Sequence, residues 1–161
     1  MEHDIHGAHG SEKGHYARFG VMLLLSFLAM YALMYAMVDV LGNALPNLNQ
    51  FYMAGLMVAP MAIIELLVMG GMYKNKKLNA GLMLISVIAL IGFWLGIRQQ
   101  VAIDDRQFLK SMIPHHAGAL LMCEKNKLQD PDLQRLCGGI VSSQRAEIEL
   151  MKAKLREQQG D

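Results

Sequence analysis

The chain has 161 residues and a formal net charge of +1; 53% of its residues are hydrophobic and only 18% are charged. Near-neutral balance excludes a basic surface for nucleic acid, and apolar residues crowded before Arg98 exclude an ordinary soluble domain over the first two thirds of the chain. Fourteen methionines are a heavy load, and methionine is both an adaptable packing residue and a soft thioether ligand.

In chain order, residues 1–19 carry His3, His6, His9 and His15 among glycines and charges and are expected to be a disordered cytoplasmic segment. Met1-Glu2-His3 could wrap a square-planar Cu(II) if its amine is free, against the plainer reading of a solvated tail with incidental metal affinity.

Three apolar runs follow, at 20–42, 51–73 and 78–97. Each reaches the roughly 20 residues that a helix needs to cross about 30 Å of hydrocarbon. The first run is too long for a cleavable signal peptide and is expected to remain in the protein as a span. Lys13 and Arg18 precede the first run and Lys74, Lys76 and Lys77 lie between the second and third, which predicts a cytoplasmic N-terminus and an outward-facing tail after Arg98. In a bacterium the chain would then be a multi-pass protein of the cytoplasmic (inner) membrane, with its tail in the periplasm or outside the cell. The second run holds Met53, Met57, Met61, Glu65, Met69 and Met72 at spacings of four and three. Either these form a packing stripe, or Glu65 with Met57 and Met61 marks a membrane site; an ionisable residue inside a span is a functional candidate by default. Gly92 and Gly96 in the third run make a small-xxx-small pattern along which backbones can approach.

The tail, 98–161, reads as a helical hairpin. Asp104 and Asp105 open a helix in which Phe108, Met112, His115, Ala119 and Met122 recur at spacings of three and four, with Pro114 inside it. Asp130 as N-cap and Pro131 at the first helical position announce the second helix. The short polar stretch between them makes the two helices antiparallel neighbours. Two helices cannot enclose their own apolar stripes, so the hairpin should pack on a second copy, giving a homodimeric four-helix bundle, or on the membrane domain.

At about 100° per residue, Met112, His115, His116, Met122 and Cys123 share one face of the first tail helix, while Cys137, Gln144, Ile148 and Met151, with Glu147 at the edge, share one face of the second. Thioether, imidazole and thiolate suit copper, as Cu(I) or Cu(II), with silver and zinc as alternatives. No nucleophile with a base and an oxyanion site can be assembled, and no phosphate-binding glycine loop is present, so binding rather than enzymatic catalysis is expected. Cys123 and Cys137 lie near the connecting loop, and in an oxidising compartment a disulfide is favoured over paired thiolates or free thiols.

The run FLKSMIPHHAGALLM from Phe108 to Met122, followed by SSQRAEIELM from Ser142 to Met151, resembles the family catalogued as domain of unknown function 305. That resemblance implies a ferritin-like helical bundle and, in some members, periplasmic copper binding. On the same resemblance, Met112, His115, His116, Met122, Gln144, Glu147 and Met151 are the metal-ligand candidates. Copper-binding members often carry more than one such unit and this chain has one, which implies a site completed by two chains. Three spans with Met-x-x-x-Met in the second and Gly-x-x-x-Gly in the third also resemble the eukaryotic-type copper uptake transporters, although the expected orientation and the hairpin tail depart from that family. The expectation is therefore an all-α membrane-anchored protein whose outward hairpin sequesters or hands over copper. The alternative is a transporter or channel subunit working through Glu65 and the methionines of the second span.

Overall fold

The computed structural model describes residues 5–158, with side chains from residue 14 onward. Met1, Glu2 and His3, the candidate N-terminal copper ligands, lie outside the described residues. Five α-helices make up the described chain: α1 (Ile5–Leu33), α2 (Leu48–Val68), α3 (Lys76–Arg98), α4 (Asp105–Lys125) and α5 (Pro131–Glu157). The chain divides into two compact units, one built from the stretch up to Tyr31 with Phe51–Val101, the other from Ala32–Gln50 with the chain from Ala102 onward.

Three helical stretches are long and apolar enough to cross a membrane: Gly14–Met37, Leu48–Val68 and Lys76–Arg98. Their limits differ from those read off the sequence. The first α-helix begins at Ile5, inside the stretch expected to be disordered, because residues added to an existing helix avoid the cost of nucleation. It ends at Leu33, a short 3₁₀ turn covers Met34–Met37, and Val38 is extended. Residues 38–42 are therefore not part of a spanning helix. Asp39 turns the chain there: its Oδ1 accepts the Val40 amide at 2.8 Å and the Asn43 side-chain amide at 2.6 Å, offering the backbone a local alternative to helix. The second span stops at Val68, ahead of the Gly70-Gly71 pair, rather than at Tyr73.

In the first unit the buried face of α2 is its small-residue face, Ala54, Gly55, Val58, Ala59 and Ala62, with Leu66. Gly55 lies directly under the ring of Phe93, and a Cβ on Gly96 would meet the Tyr52 ring at 3.3 Å, so both glycines serve contact between α2 and α3. Gly92 has nothing beside it. The small-xxx-small pair is thus half used within the chain. At the other end, Tyr73 is buried with Phe19, Ala62 and Leu66. Asn79 fastens that end: it accepts the Tyr16 hydroxyl at 2.7 Å and donates to the Tyr73 carbonyl at 2.7 Å.

In the second unit α4 and α5 form the antiparallel hairpin. Asp104 caps α4 by accepting the Gln107 amide at 2.7 Å, and Asp130 caps α5 by accepting the Asp132 amide at 2.7 Å, with Pro131 at the start. The core is Ile113, Ala117 and Leu120 of α4 against Ile148, Met151 and Leu155 of α5. Each large apolar side chain buried there contributes about 1.5–3 kcal/mol. One side of this stripe is covered by the chain's own residues 34–47: Val38 and Leu45 pack on the core, and the Met37 carbonyl lies beside Gly118. Polar ties fix that segment. Asn47 donates to the Lys110 carbonyl at 3.3 Å, Gln107 accepts the Leu48 amide at 3.1 Å, and Asn49 donates to Ser111 Oγ at 3.2 Å. Val38 and Leu45 thus serve packing on the hairpin and not a bilayer crossing.

Candidate metal centre

Pro131 and its cap start α5, and the polar loop between the helices sets the antiparallel register, in which His116 of α4 meets Glu147 of α5. His116 Nδ1 is 2.9 Å from Glu147 Oε2. Only 12% of the His116 side chain is exposed, against 45% for Glu147. The approach is off-line, so the buried Nδ1 has no hydrogen-bond partner of good geometry. Ser143, one turn before Glu147, donates its hydroxyl to Glu147 Oε1 at 2.7 Å and holds the carboxylate from below. A carboxylate beside one imidazole nitrogen orients the ring and leaves the other nitrogen to act as a ligand.

One turn from His116 toward the start of α4 is Met112, and one turn from Glu147 toward the end of α5 is Met151. The register that sets His116 against Glu147 therefore sets Met112 against Met151. Both methionines join the hairpin core, Met151 buried within it and Met112 packed at its edge. The His116–Glu147 contact thus lies one helical turn from the part of the core to which Met112 and Met151 belong. Gln144 is half-buried on the face of α5 that carries Glu147 and Met151.

The remaining candidates are not brought into this group. His115 is exposed, its ring 5.9 Å from that of His116 by centroid and tilted at 60°. Met122 is 55% exposed near the loop end of the hairpin. Adjacent residues on a helix point about 100° apart, so of the two histidines only His116 can face α5. Cys123 and Cys137 are joined as a disulfide with Cα atoms 5.2 Å apart, which takes both sulfurs out of any ligand set in this state. Among the described residues no three His, Cys, Asp or Glu converge on one point.

Residues not anticipated as part of the centre also hold it. Ser143 is one, and its spacing of four from Glu147 was the available signal. Another is the cross-helix pair of Arg145 Nη2 and Glu124 Oε1 at 2.5 Å, which fixes the register from the solvent side. Such an exposed pair is worth at most about 1 kcal/mol.

The membrane candidates separate as well. Met57 is 43% exposed, on the side of α2 away from the buried small residues, and Met61 is half-buried. Glu65 lies in the last turn of α2, not deep within a span, and its Oε1 accepts the Tyr73 hydroxyl at 3.1 Å. Burial first, then the hydrogen bond and charge of Glu65, push the Tyr73 phenol above its ordinary value.

Residues 96–155 match the family model described as Domain of unknown function (DUF305). An uncharacterised protein of Acanthamoeba polyphaga mimivirus is 34% identical over 140 residues, covering 85% of this chain and 90% of that protein. No solved structure matches the chain.

Proposed function

From the premise that the chain belongs to the DUF305 family, we propose that it is a membrane-anchored binding protein for a soft metal, copper first, whose hairpin sequesters the ion or hands it over outside the membrane. The observation that carries this reading is the largely buried His116 imidazole, whose Nδ1 is held 2.9 Å from Glu147 Oε2. A carboxylate beside one ring nitrogen orients the ring and leaves the other nitrogen for a ligand.

The donor set fits Cu(I). His116 would bind through Nε2, and Met112 and Met151 through their thioethers one turn away. Glu147 would position the ring rather than hold the ion, since a hard carboxylate is a poor partner for a soft cation. Zinc is less well suited, because its sites draw on three or four His, Cys, Asp or Glu, and one chain brings no such group together among the described residues. Silver shares the preference for sulfur and would compete with copper. Copper is the cargo in this account and the protein does no chemistry on it.

Two further parts of the reading concern the setting. The three apolar helices lie in the bilayer with the N-terminus on the cytoplasmic side, so that the hairpin meets metal arriving from outside; the lysines of the 74–77 stretch support that orientation. A homodimer supplies what one hairpin leaves open. Leu133 and Leu136 are exposed near the loop end, and a second copy would cover them. The transporter reading is not favoured, since Met57 points away from the packed face of α2 and Glu65 sits at a helix end.

The test is Cu(I) titration of the full chain in detergent against a chromophoric competitor. His116→Ala combined with Met112→Leu and Met151→Leu should abolish tight binding while helical circular dichroism is retained. Equal affinity in variant and parent would overturn the proposal.

A further inference from the structure

The hairpin is cored at one end only. α4 has no buried residue after Leu120, and α5 has none before Ile148. Over that uncored half the two helices are joined by the Cys123–Cys137 disulfide, formed from the only cysteines in the chain. Both cysteines are half-buried rather than enclosed. They open onto a hollow of about 420 Å³ bordered by Glu124, Lys127, Leu128, Gln134 and Val141. A disulfide that only staples a fold does not need such an approach, whereas one that reacts needs it, because thiol exchange proceeds by in-line attack on sulfur. Met122, next in sequence to Cys123, is exposed and adds a thioether to the same end of the hairpin.

We propose that Cys123 and Cys137 are a second soft-metal site, closed as a disulfide and opened by a dithiol reductant, whose two thiolates then hold one Cu(I) ion at the loop end of the hairpin. The step is a thiol–disulfide exchange. A thiolate of the reductant attacks one Sγ, the Sγ–Sγ bond breaks and its electron pair goes to the other sulfur. The reductant's second thiolate then attacks the reductant sulfur of the mixed disulfide, and the cysteine leaves as a thiolate. Two electrons and two protons pass from the dithiol to the cysteines, and the reductant leaves as its own disulfide. Cu(I) replaces the two thiol protons. The Cα separation of 5.2 Å keeps both side chains within reach of one ion, and thiolate is the ligand that Cu(I) prefers. The site deepens the proposed function, since it supposes that the hairpin handles a soft metal, but its ligands are separate from His116, Met112 and Met151.

The experiment compares the full chain in detergent, oxidised and after treatment with dithiothreitol and anaerobic desalting, by titration with Cu(I) alone. Reduction should add one copper per chain, with a thiolate-to-copper absorption in the ultraviolet. A variant carrying Cys123→Ser and Cys137→Ser should show neither. In the His116→Ala, Met112→Leu, Met151→Leu variant the reduction-dependent copper should remain, so failure of the first site and failure of this one are read independently. Equal copper stoichiometry before and after reduction would overturn the proposal, and so would loss of helical circular dichroism on reduction, because the thiols would then no longer be held together.

Discussion

His116 of α4 and Glu147 of α5 meet at 2.9 Å across the hairpin, and Ser143 holds the far oxygen of the same carboxylate at 2.7 Å. That chain of contacts gives the imidazole one orientation before any ligand arrives. Carboxylates placed in this way typically tune affinity by about 10–100-fold. Glu147→Gln should therefore weaken Cu(I) binding by about that factor, measured by competition titration, while His116→Ala should remove more. No change on Glu147→Gln would mean that the contact does not orient a ligand.

The disulfide closes a separation of 14 residues. In the chain-entropy account a loop of that size is worth about 3 kcal/mol. Replacing both cysteines by serine should speed amide hydrogen exchange between residues 121 and 140 and leave the slow amides around Ile113 and Ile148 largely protected. Uniformly faster exchange through both helices would contradict a core confined to one end.

Ile113 is fully buried, and its truncation to alanine should cost about 2–5 kcal/mol. Leu45→Ala should also loosen the hairpin, because Leu45 packs on that core from outside the hairpin sequence. Leu150, 60% exposed, should tolerate serine at a cost near zero, within about 0.5 kcal/mol. Hydrogen exchange of the Ile113 region ranks the three. Leu45→Ala behaving like Leu150→Ser would mean that residues 34–47 do not cover the hairpin.

Tyr73 offers a readout at the other end of the first unit. Burial and Glu65 raise its phenol above the ordinary value. The folded state then holds that proton more tightly than the unfolded one. This contribution to stability is full below the unfolded pKa and is lost as pH rises through the higher folded value. Tyr73→Phe should remove a late-ionising phase from an alkaline ultraviolet titration. Unchanged curves would contradict the Glu65 contact.

Much of this arrangement was legible in the sequence where the signal is local. Asp104, Asp130 and Pro131 mark the helix starts because capping depends on residues next to one another. Run length alone found the three apolar helices. Hydropathy does not distinguish burial in lipid from burial in protein, which is why Val38 falls inside an apolar run although it packs on the hairpin. The helical wheel placed His115, His116 and Met122 on one broad face. A single partner helix covers only part of such a face, and the register that selects His116 for Glu147 is a long-range property that no spacing within α4 contains. Glu65 looked deep in a span because Gly70 and Gly71 were read as part of the span rather than as its end.

The central claim is that one chain offers Cu(I) an imidazole and thioether sulfur inside the hairpin. The most direct measurement is copper K-edge X-ray absorption on the full, oxidised chain loaded with one equivalent of Cu(I). The account predicts sulfur scatterers together with one imidazole, the imidazole lost in His116→Ala and the sulfur lost in Met112→Leu with Met151→Leu. A first shell of oxygen and nitrogen alone, or a spectrum unchanged by those substitutions, would contradict it.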